Sequence, residues 1–505
     1  MASYLRYILA AIALLDSIVA QVPANISDYK NITSPSGVTL RYKETGKEGV
    51  CETTKGVNSY SGYIDIAPDV HSFFWFFESR KDPANDPITL WLDGTKGTYS
   101  LTGLFQELGP CNVTENLETR LNPYSWNEVS NLLFISAPIG AGFSYSKQGE
   151  GSIDPKTGKF MSDSEAPVAG RFHIDDPTIT YTTNASAVTA YNVLQGFYSA
   201  LPQLDSKVKS KVFNLWTSSY GGHYGPTFFK YFSDQNKRIK DGKAEGIELK
   251  MNTLGIGNGE IDLYIQTPSE PEFAVNNTYK VKAINDTQYA NSKAAIGECQ
   301  TKLKACNAAD RRTSAGQLTC HQASSFCHGK VQRGFYEEKN PFDIRQPSGE
   351  IPPADYFKDY LNKAEVQRAI GVNQNYTLSN KVINEAFETT GDRAYPDAIK
   401  DLQILLDAGV RVALYYGDAT WLSNWFGGEA VSLAVNYTGA EAFRAAKYKP
   451  FRVNGVEHGK VRQSGNFSFL VLKEAGLWSG FDQPKASLEM FKRTITNVPL
   501  ADGAV

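Results

Sequence analysis

Short apolar runs that end in Gly, Pro or Asp recur along the chain: HSFFWFFES from His71, PITLWLDG from Pro87, NLLFISAP from Asn131, KVFNLWTSS from Lys211, LKMNTLGIGNG from Leu249 and VRVALYYGD from Val410. Most positions in these runs are apolar, rather than every second one, which is the pattern of strands buried on both faces. Between several of them the apolar residues fall at helical spacing, as in 187–201 and 224–232. Buried strands alternating with helices predict an α/β fold with a mostly parallel central sheet and helices on both faces. In such sheets functional groups gather on loops leaving the carboxyl ends of strands, and the neighbourhoods of Asp93, Ser219 and Asp418 fall at such ends.

Two stretches break the rhythm. Residues 147–183 are polar and rich in Gly, Asp and Ser, and read as a long surface insertion. Residues 262–353 hold four cysteines and few strand-like runs, and read as a disulfide-stapled cap inserted between core strands. The expected division is a signal peptide over 1–20, the first part of the core over 21–261, the cap over 262–353 and the second part of the core over 354–505. No internal repeat is evident.

The leader MASYLRYILAAIALLDSIVA carries Arg6, an apolar run too short to cross a bilayer, and Ala20 before a polar segment, the layout of a secretory signal peptide cleaved near Gln21. The terminal NVPLADGAV lacks the hydrophobic tail of a lipid-anchor signal. The expectation is a soluble protein exported to the extracellular space, or to a secretory compartment such as a vacuole, with no membrane partner after processing. Nine N-x-[ST] sequons fit that route: Asn25, Asn31, Asn112, Asn184, Asn276, Asn285, Asn375, Asn436 and Asn466. The six cysteines are an even set for an oxidising compartment, although six allow fifteen connectivities. The mirror-like spacing of the cap cysteines favours nested bridges Cys299–Cys327 and Cys306–Cys320, leaving Cys51–Cys111. Export and the lack of a CxxC pair weigh against zinc in that cluster, so no metal is expected. A formal net charge of −3 without a basic run argues against nucleic acid as a partner.

The string LWTSSYGGHYGPTFF, from Leu215, reads as a strand end, a tight turn with Ser219 at its tip, and a helix start. The G-x-S-x-G elbow of α/β-hydrolases has this layout, because an exposed nucleophile needs a sharp turn with little bulk beside it. Only the second glycine, Gly221, is present. Other separated strings agree with one family: WLDGTKGTYSLTGLFQELGPC, NLLFISAPIGAGFSY, LGIGNGEID, VQRAIGVNQNYT, GDATWLSNWFGGEAVSLAVNYT, VRQSGNFSF and EAGLWSGFDQP. Over about 42–495 the chain resembles the serine carboxypeptidases, especially those secreted by filamentous fungi. That resemblance implies an α/β-hydrolase fold, no cofactor, and a Ser-His-Asp triad that removes single residues from peptide C-termini.

The residues that carry this chemistry are only partly present. The nucleophile pattern E-S-Y-G-G keeps Ser219 but has Ser218 in place of the glutamate that helps hold the substrate carboxylate. The triad acid, the second Asp of G-D-x-D, is Thr420; Asp418 is kept but is not the triad member. The triad base, the His of E-A-G-H-x-V-P, is Leu477. In the oxyanion loop W-L-N-G-G-P-G the second glycine, an N–H donor, is Thr95, while Tyr220, the other donor position, is intact. Of the carboxylate-binding positions Gly94 and Glu107 match, and the asparagine has become Asp93, whose charge would repel a peptide terminus.

A serine hydroxyl is a poor nucleophile until a neighbouring base takes its proton, and leucine cannot. Losing the base of a comparable triad lowers turnover by about 10⁶, or about 8 kcal/mol of barrier. Three histidines are candidate replacements: His223, expected to be structural; His458, in a stretch leading toward Leu477; and His173, expected on the surface of the insertion. The expected function is therefore a secreted, catalytically inactive carboxypeptidase homologue binding peptides or proteins, a C-terminus being one candidate ligand. The alternative is an active carboxypeptidase, or a related acyl transferase, with a displaced base.

Overall fold

The six apolar runs all become strands of one twelve-stranded sheet. The computed structural model describes residues 22–501 other than 36, 338, 350–352 and 396, so the expected signal peptide lies outside the described residues. In chain order the strands are β1 (Lys30–Thr33), β2 (Thr39–Lys43), β3 (Ser59–Ala67), β4 (Val70–Phe77), β5 (Ile88–Leu92), β6 (Asn131–Ile135), β7 (Val212–Ser218), β8 (Lys250–Gly257), β9 (Arg411–Gly417), β10 (Lys449–Val453), β11 (Val456–Ser464) and β12 (Phe467–Leu472). Their spatial order is β1-β2-β3-β4-β6-β5-β7-β8-β9-β12-β11-β10. The stretch from β6 to β12 is parallel throughout. Antiparallel hairpins flank it on both sides. Every residue of β5, β6 and β12 is buried, as expected for strands covered on both faces.

One face packs on helices α1 (Thr183–Leu204) and α2 (Gly221–Lys240), through Phe197, Leu201, Phe228 and Phe232 among others. The other face is built on packed aromatics, with Trp126 stacked on Phe491 and edge-to-face with Trp216. The parallel order brings the carboxyl ends of β5, β7 and β9 to the same edge, so Asp93, Ser219 and Asp418 each follow a strand there.

Cys51 is bonded to Cys111, Cys299 to Cys327 and Cys306 to Cys320. In the 262–353 stretch, α3 (Asp286–Ala308) and α4 (Ser314–Cys327) are clamped together by the last two bridges around a small core with Leu263, Leu303, Ala323 and Val331. Residues 147–183 are more ordered than their composition implies. Lys147–Ile153, Phe160–Ser162 and Gly170–Ile174 form a three-stranded antiparallel sheet. The polar sequence hides it because that sheet buries little of either face, and it is fastened by Asn375 Oδ1 accepting from Arg171 N and by Gln148 donating to Gln374.

Candidate active site

Ser219 sits at φ +55° between the end of β7 and the start of α2. Two backbone hydrogen bonds fix this strained turn: Ser219 N–H donates to Gly257 O at 2.9 Å and Glu260 N–H to Ser219 O at 2.8 Å. The residues around it must be small. A Cβ on Gly94 would stand 1.4 Å from Ser218 O, and one on Gly221 would stand 1.9 Å from Thr217 Oγ1. The Tyr220 hydroxyl anchors the elbow from behind by donating to the buried Asp392, which also accepts from Thr183 N at 3.0 Å.

The elbow opens into a cavity of about 270 Å³. Ser218, Ser219, Tyr220, Asp93, Gly94, Thr95, Glu107 and Leu477 all line it, so the structure brings these sequence-identified positions together. Thr420 does not line it. It is fully buried, and its hydroxyl donates to Leu422 O at 3.0 Å with Pro341 O at 3.4 Å. Leu477 is buried, and its backbone is fixed on both sides: its N–H donates to Phe342 O at 2.9 Å and its carbonyl accepts from Asn258 Nδ2 at 2.7 Å.

Both N–H groups of the expected oxyanion site are already engaged. Tyr220 N–H donates to Gly94 O at 3.1 Å and Thr95 N–H to Asp93 O at 2.9 Å. The Thr95 hydroxyl donates to Thr98 O, and Tyr224 OH to Thr95 O at 3.0 Å, which ties the loop down further. An oxyanion needs free donors aimed at it.

No histidine lines the cavity among the described residues. His223 lies tilted against the Tyr220 ring with Nε2 3.7 Å from Glu260 Oε1. His458 Nδ1 lies 3.1 Å from Gln483 Oε1. His173, expected on the surface, is buried: its Nδ1 accepts from Ser146 N–H at 3.4 Å, and burial lowers its pKa. The surface expectation failed because the His173 ring, unlike most of its sheet, lies against Gly140 and Ser146. No group of side chains able to hold a metal occurs among the described residues.

A family model described as serine carboxypeptidase matches residues 50–497. The chain belongs to the serine carboxypeptidase family. It is 36% identical to Carboxypeptidase S1 homolog A of Arthroderma otae, over 93% of this chain and 77% of that one. It is 34% identical to Carboxypeptidase S1 of Penicillium janthinellum, over 90% and 98% of the two chains. Among solved structures, the prohormone-processing carboxypeptidase Kex1(Δ)p of Saccharomyces cerevisiae aligns with a TM-score of 0.70 and 19% identity, over 92% of this chain and 97% of that one. The α/β-hydrolase fold of the serine carboxypeptidases is thereby established for this chain.

Set in that fold, the electrostatics of the cavity are unusual. Asp93 Oδ1 accepts from Trp91 Nε1 at 3.0 Å and Gly103 N at 2.8 Å, yet burial raises its pKa to about 6. Glu107 Oε2 accepts from Gly480 N at 3.3 Å, and burial, with Asp93 and Asp482 nearby, raises its pKa to about 8. Sequence reasoning missed four further charged residues of the site. Arg393 grips Glu260 with two bonds of 2.8 and 2.6 Å, and Lys96 pairs with Glu388 beside the Tyr220 ring. Arg393, Glu260 and Lys96 line the cavity. Arg393 and Glu388 lie well outside the quoted strings and reach the cavity through the fold, so no local pattern marks them.

Proposed function

We propose that this protein is a secreted, glycosylated serine carboxypeptidase homologue that does not hydrolyse peptides and uses the cavity above the elbow to bind a peptide or protein ligand. One observation carries this reading: an aliphatic side chain stands where the base belongs, and none of the histidines lines the cavity beside Ser219. Without a proton acceptor the hydroxyl stays unactivated. In comparable triads the residual catalysis of about 10³ to 10⁴ over water comes from the oxyanion hole and binding. Here Tyr220 and Thr95 already commit their N–H groups to protein carbonyls, which weakens that source as well.

Labelling and turnover both test this. A fluorophosphonate probe is expected to leave Ser219 unlabelled, and hydrolysis of blocked dipeptides at mildly acidic pH is expected to match that of Ser219→Ala. Stoichiometric labelling and turnover, both abolished by Ser219→Ala, would instead identify an active carboxypeptidase or acyl transferase with a displaced base.

Secretion predicts a definite glycan pattern. Asn25, Asn31, Asn184, Asn276, Asn285 and Asn436 are exposed. At Asn285 the side-chain oxygen caps α3 by accepting from Gln288 N–H, which leaves the amide nitrogen outward. Asn466 Nδ2, by contrast, donates to Leu406 O at 2.9 Å and Val410 O at 2.8 Å, and Asn112 Nδ2 to Phe105 O at 2.9 Å. Glycopeptide mass spectrometry of the secreted protein is expected to find glycans at the exposed sites and none at Asn466 or Asn112. Full occupancy at Asn466 would contradict the packing of its amide against the turn before β9. Among the described residues no helix is long and apolar enough to cross a membrane.

A further inference from the structure

The charges around the cavity do not balance. Its two lining cations are committed, Arg393 to Glu260 and Lys96 to Glu388. Its two remaining acids, Asp93 and Glu107, have no cationic partner among the described residues. Glu107 is 9% exposed, and its hydrogen bond from Gly480 ends on Oε2, leaving Oε1 without a partner. The bonds from Trp91 and Gly103 both end on Oδ1 of Asp93, and the backbone N–H groups of Leu101 and Thr102 also face its carboxyl, so Asp93 lacks a counter-charge rather than donors. The other titratable groups facing the pair are Asp482, which lies 3.5 Å from Arg345, and the phenols of Tyr376 and Tyr415. None of these supplies a positive charge to either carboxyl. A cavity holding two largely buried acids and no free cation favours a ligand that brings the cation itself.

We propose that the cavity recognises its ligand through a cationic group, a primary ammonium or guanidinium seated between Asp93 and Glu107, and not through a free carboxylate. This rests on the binding role proposed above and names the chemistry of the ligand. A lysine or arginine side chain of a peptide, or a small amine, carries the right group. Such a cation supplies N–H donors to Glu107 Oε1, which has none, and a counter-charge to Asp93, which has donors but no cation beside it. It also displaces protons from both acids, so its binding strengthens as pH rises. A carboxylate ligand would follow the opposite trend, since it can bind only where the two acids are protonated and donate.

The test uses the full-length protein and two matched probes in isothermal titration at pH 5 and pH 7.5: N-benzoyl-1,4-diaminobutane, which is cationic, and N-benzoylglycine, which is anionic. At pH 7.5 the amine is expected to bind at least about tenfold more tightly than the acid, and to bind more weakly at pH 5. Asp93→Asn and Glu107→Gln are each expected to weaken the amine about tenfold and not the neutral N-benzoylbutylamine, with circular dichroism confirming the fold. Tighter binding of the acid than the amine, no binding of the amine, or amine affinity indifferent to both substitutions would each overturn the proposal. Hydrolysis followed in the same samples speaks separately to the proposed lack of activity, so the two readings fail by different signals.

Discussion

Placing Leu477→His and Thr420→Asp together in a Thr95→Gly, Asp93→Asn, Ser218→Glu background is expected to raise hydrolysis of blocked dipeptides by several orders of magnitude over the unmodified protein. Triad members matter unequally. In a comparable serine protease the base is worth ~2 × 10⁶ in turnover, whereas losing the acid alone costs ~3 × 10⁴. Leu477→His by itself should therefore recover about 10²-fold, and the acid about 10⁴ more once the base is present. Thr420→Asp alone should recover nothing, because an acid without an imidazole to orient has no role.

The local structure favours the base more than the acid. Residue 477 is positioned by backbone bonds to Phe342 and Asn258, neither of which depends on the leucine side chain, and it already lines the cavity. Thr420 Oγ1, by contrast, donates to Leu422 O and faces Pro341 O. A carboxylate there would meet two carbonyl oxygens, so the acid needs the 420–423 loop to shift. Thr95→Gly removes the hydroxyl that ties residue 95 to Thr98 and frees the oxyanion loop to turn; each restored donor is worth about 10² to 10³. Initial rates on the full and single variants, with Ser219→Ala added to each, give the measurement. A folded, soluble full variant as silent as its Ser219→Ala partner would mean that the cleft has changed beyond these five positions.

The central sheet was legible from sequence because its strands are buried on both faces, so that HSFFWFFES, PITLWLDG and NLLFISAP carry unbroken apolar character. The elbow was legible because Gly221 and the serine at its tip mark a turn that few sequences permit. The small sheet at 147–174 was not, since strands such as KQGEGSI bury too little for any alternation to appear. Thr420 and Leu477, at the positions proposed for the triad acid and base, could be read residue by residue. The engagement of the Tyr220 N–H could not, because its bond to Gly94 O depends on how two loops from different strands approach each other. The pairing of Arg393 with Glu260 and of Lys96 with Glu388 depends on sequence-distant segments in the same way, so the unbalanced charge emerges only from the assembled structure.

The fold as a whole is expected to be markedly more stable at pH 5 than at pH 8. Burial pushes Glu107 and Glu270 up to about 8 and Asp401 up to about 6. Glu78, whose side chain is fully enclosed, is raised to about 7 by burial and by its neighbour Asp205. In the unfolded chain such carboxyls take up their protons near 4 to 4.5. Between that pH and their folded values the native state therefore binds more protons than the unfolded state, and stability falls as pH rises. The contribution is complete below about pH 4 and is lost as pH climbs through 6 to 8. Glu260 acts in the opposite sense: burial alone would raise it, but Arg393 and His223 hold it well below the usual carboxylate range. Its contribution is lost only in strong acid, outside this window, whereas buried His173, whose pKa burial lowers, loses stability as pH falls and offsets part of the trend. Each tenfold difference in proton affinity between the folded and unfolded chain corresponds to ~1.4 kcal/mol, and after allowance for relaxation and water penetration the sum should be on the order of 5 kcal/mol between pH 5 and pH 8. Urea midpoints across that range give the measurement, and Glu78→Gln with Glu107→Gln should flatten the curve by removing two of the titrating groups. A midpoint that rises with pH would mean that these carboxyls are ionised and compensated in the native state, which would also undercut the charge imbalance on which cation recognition rests.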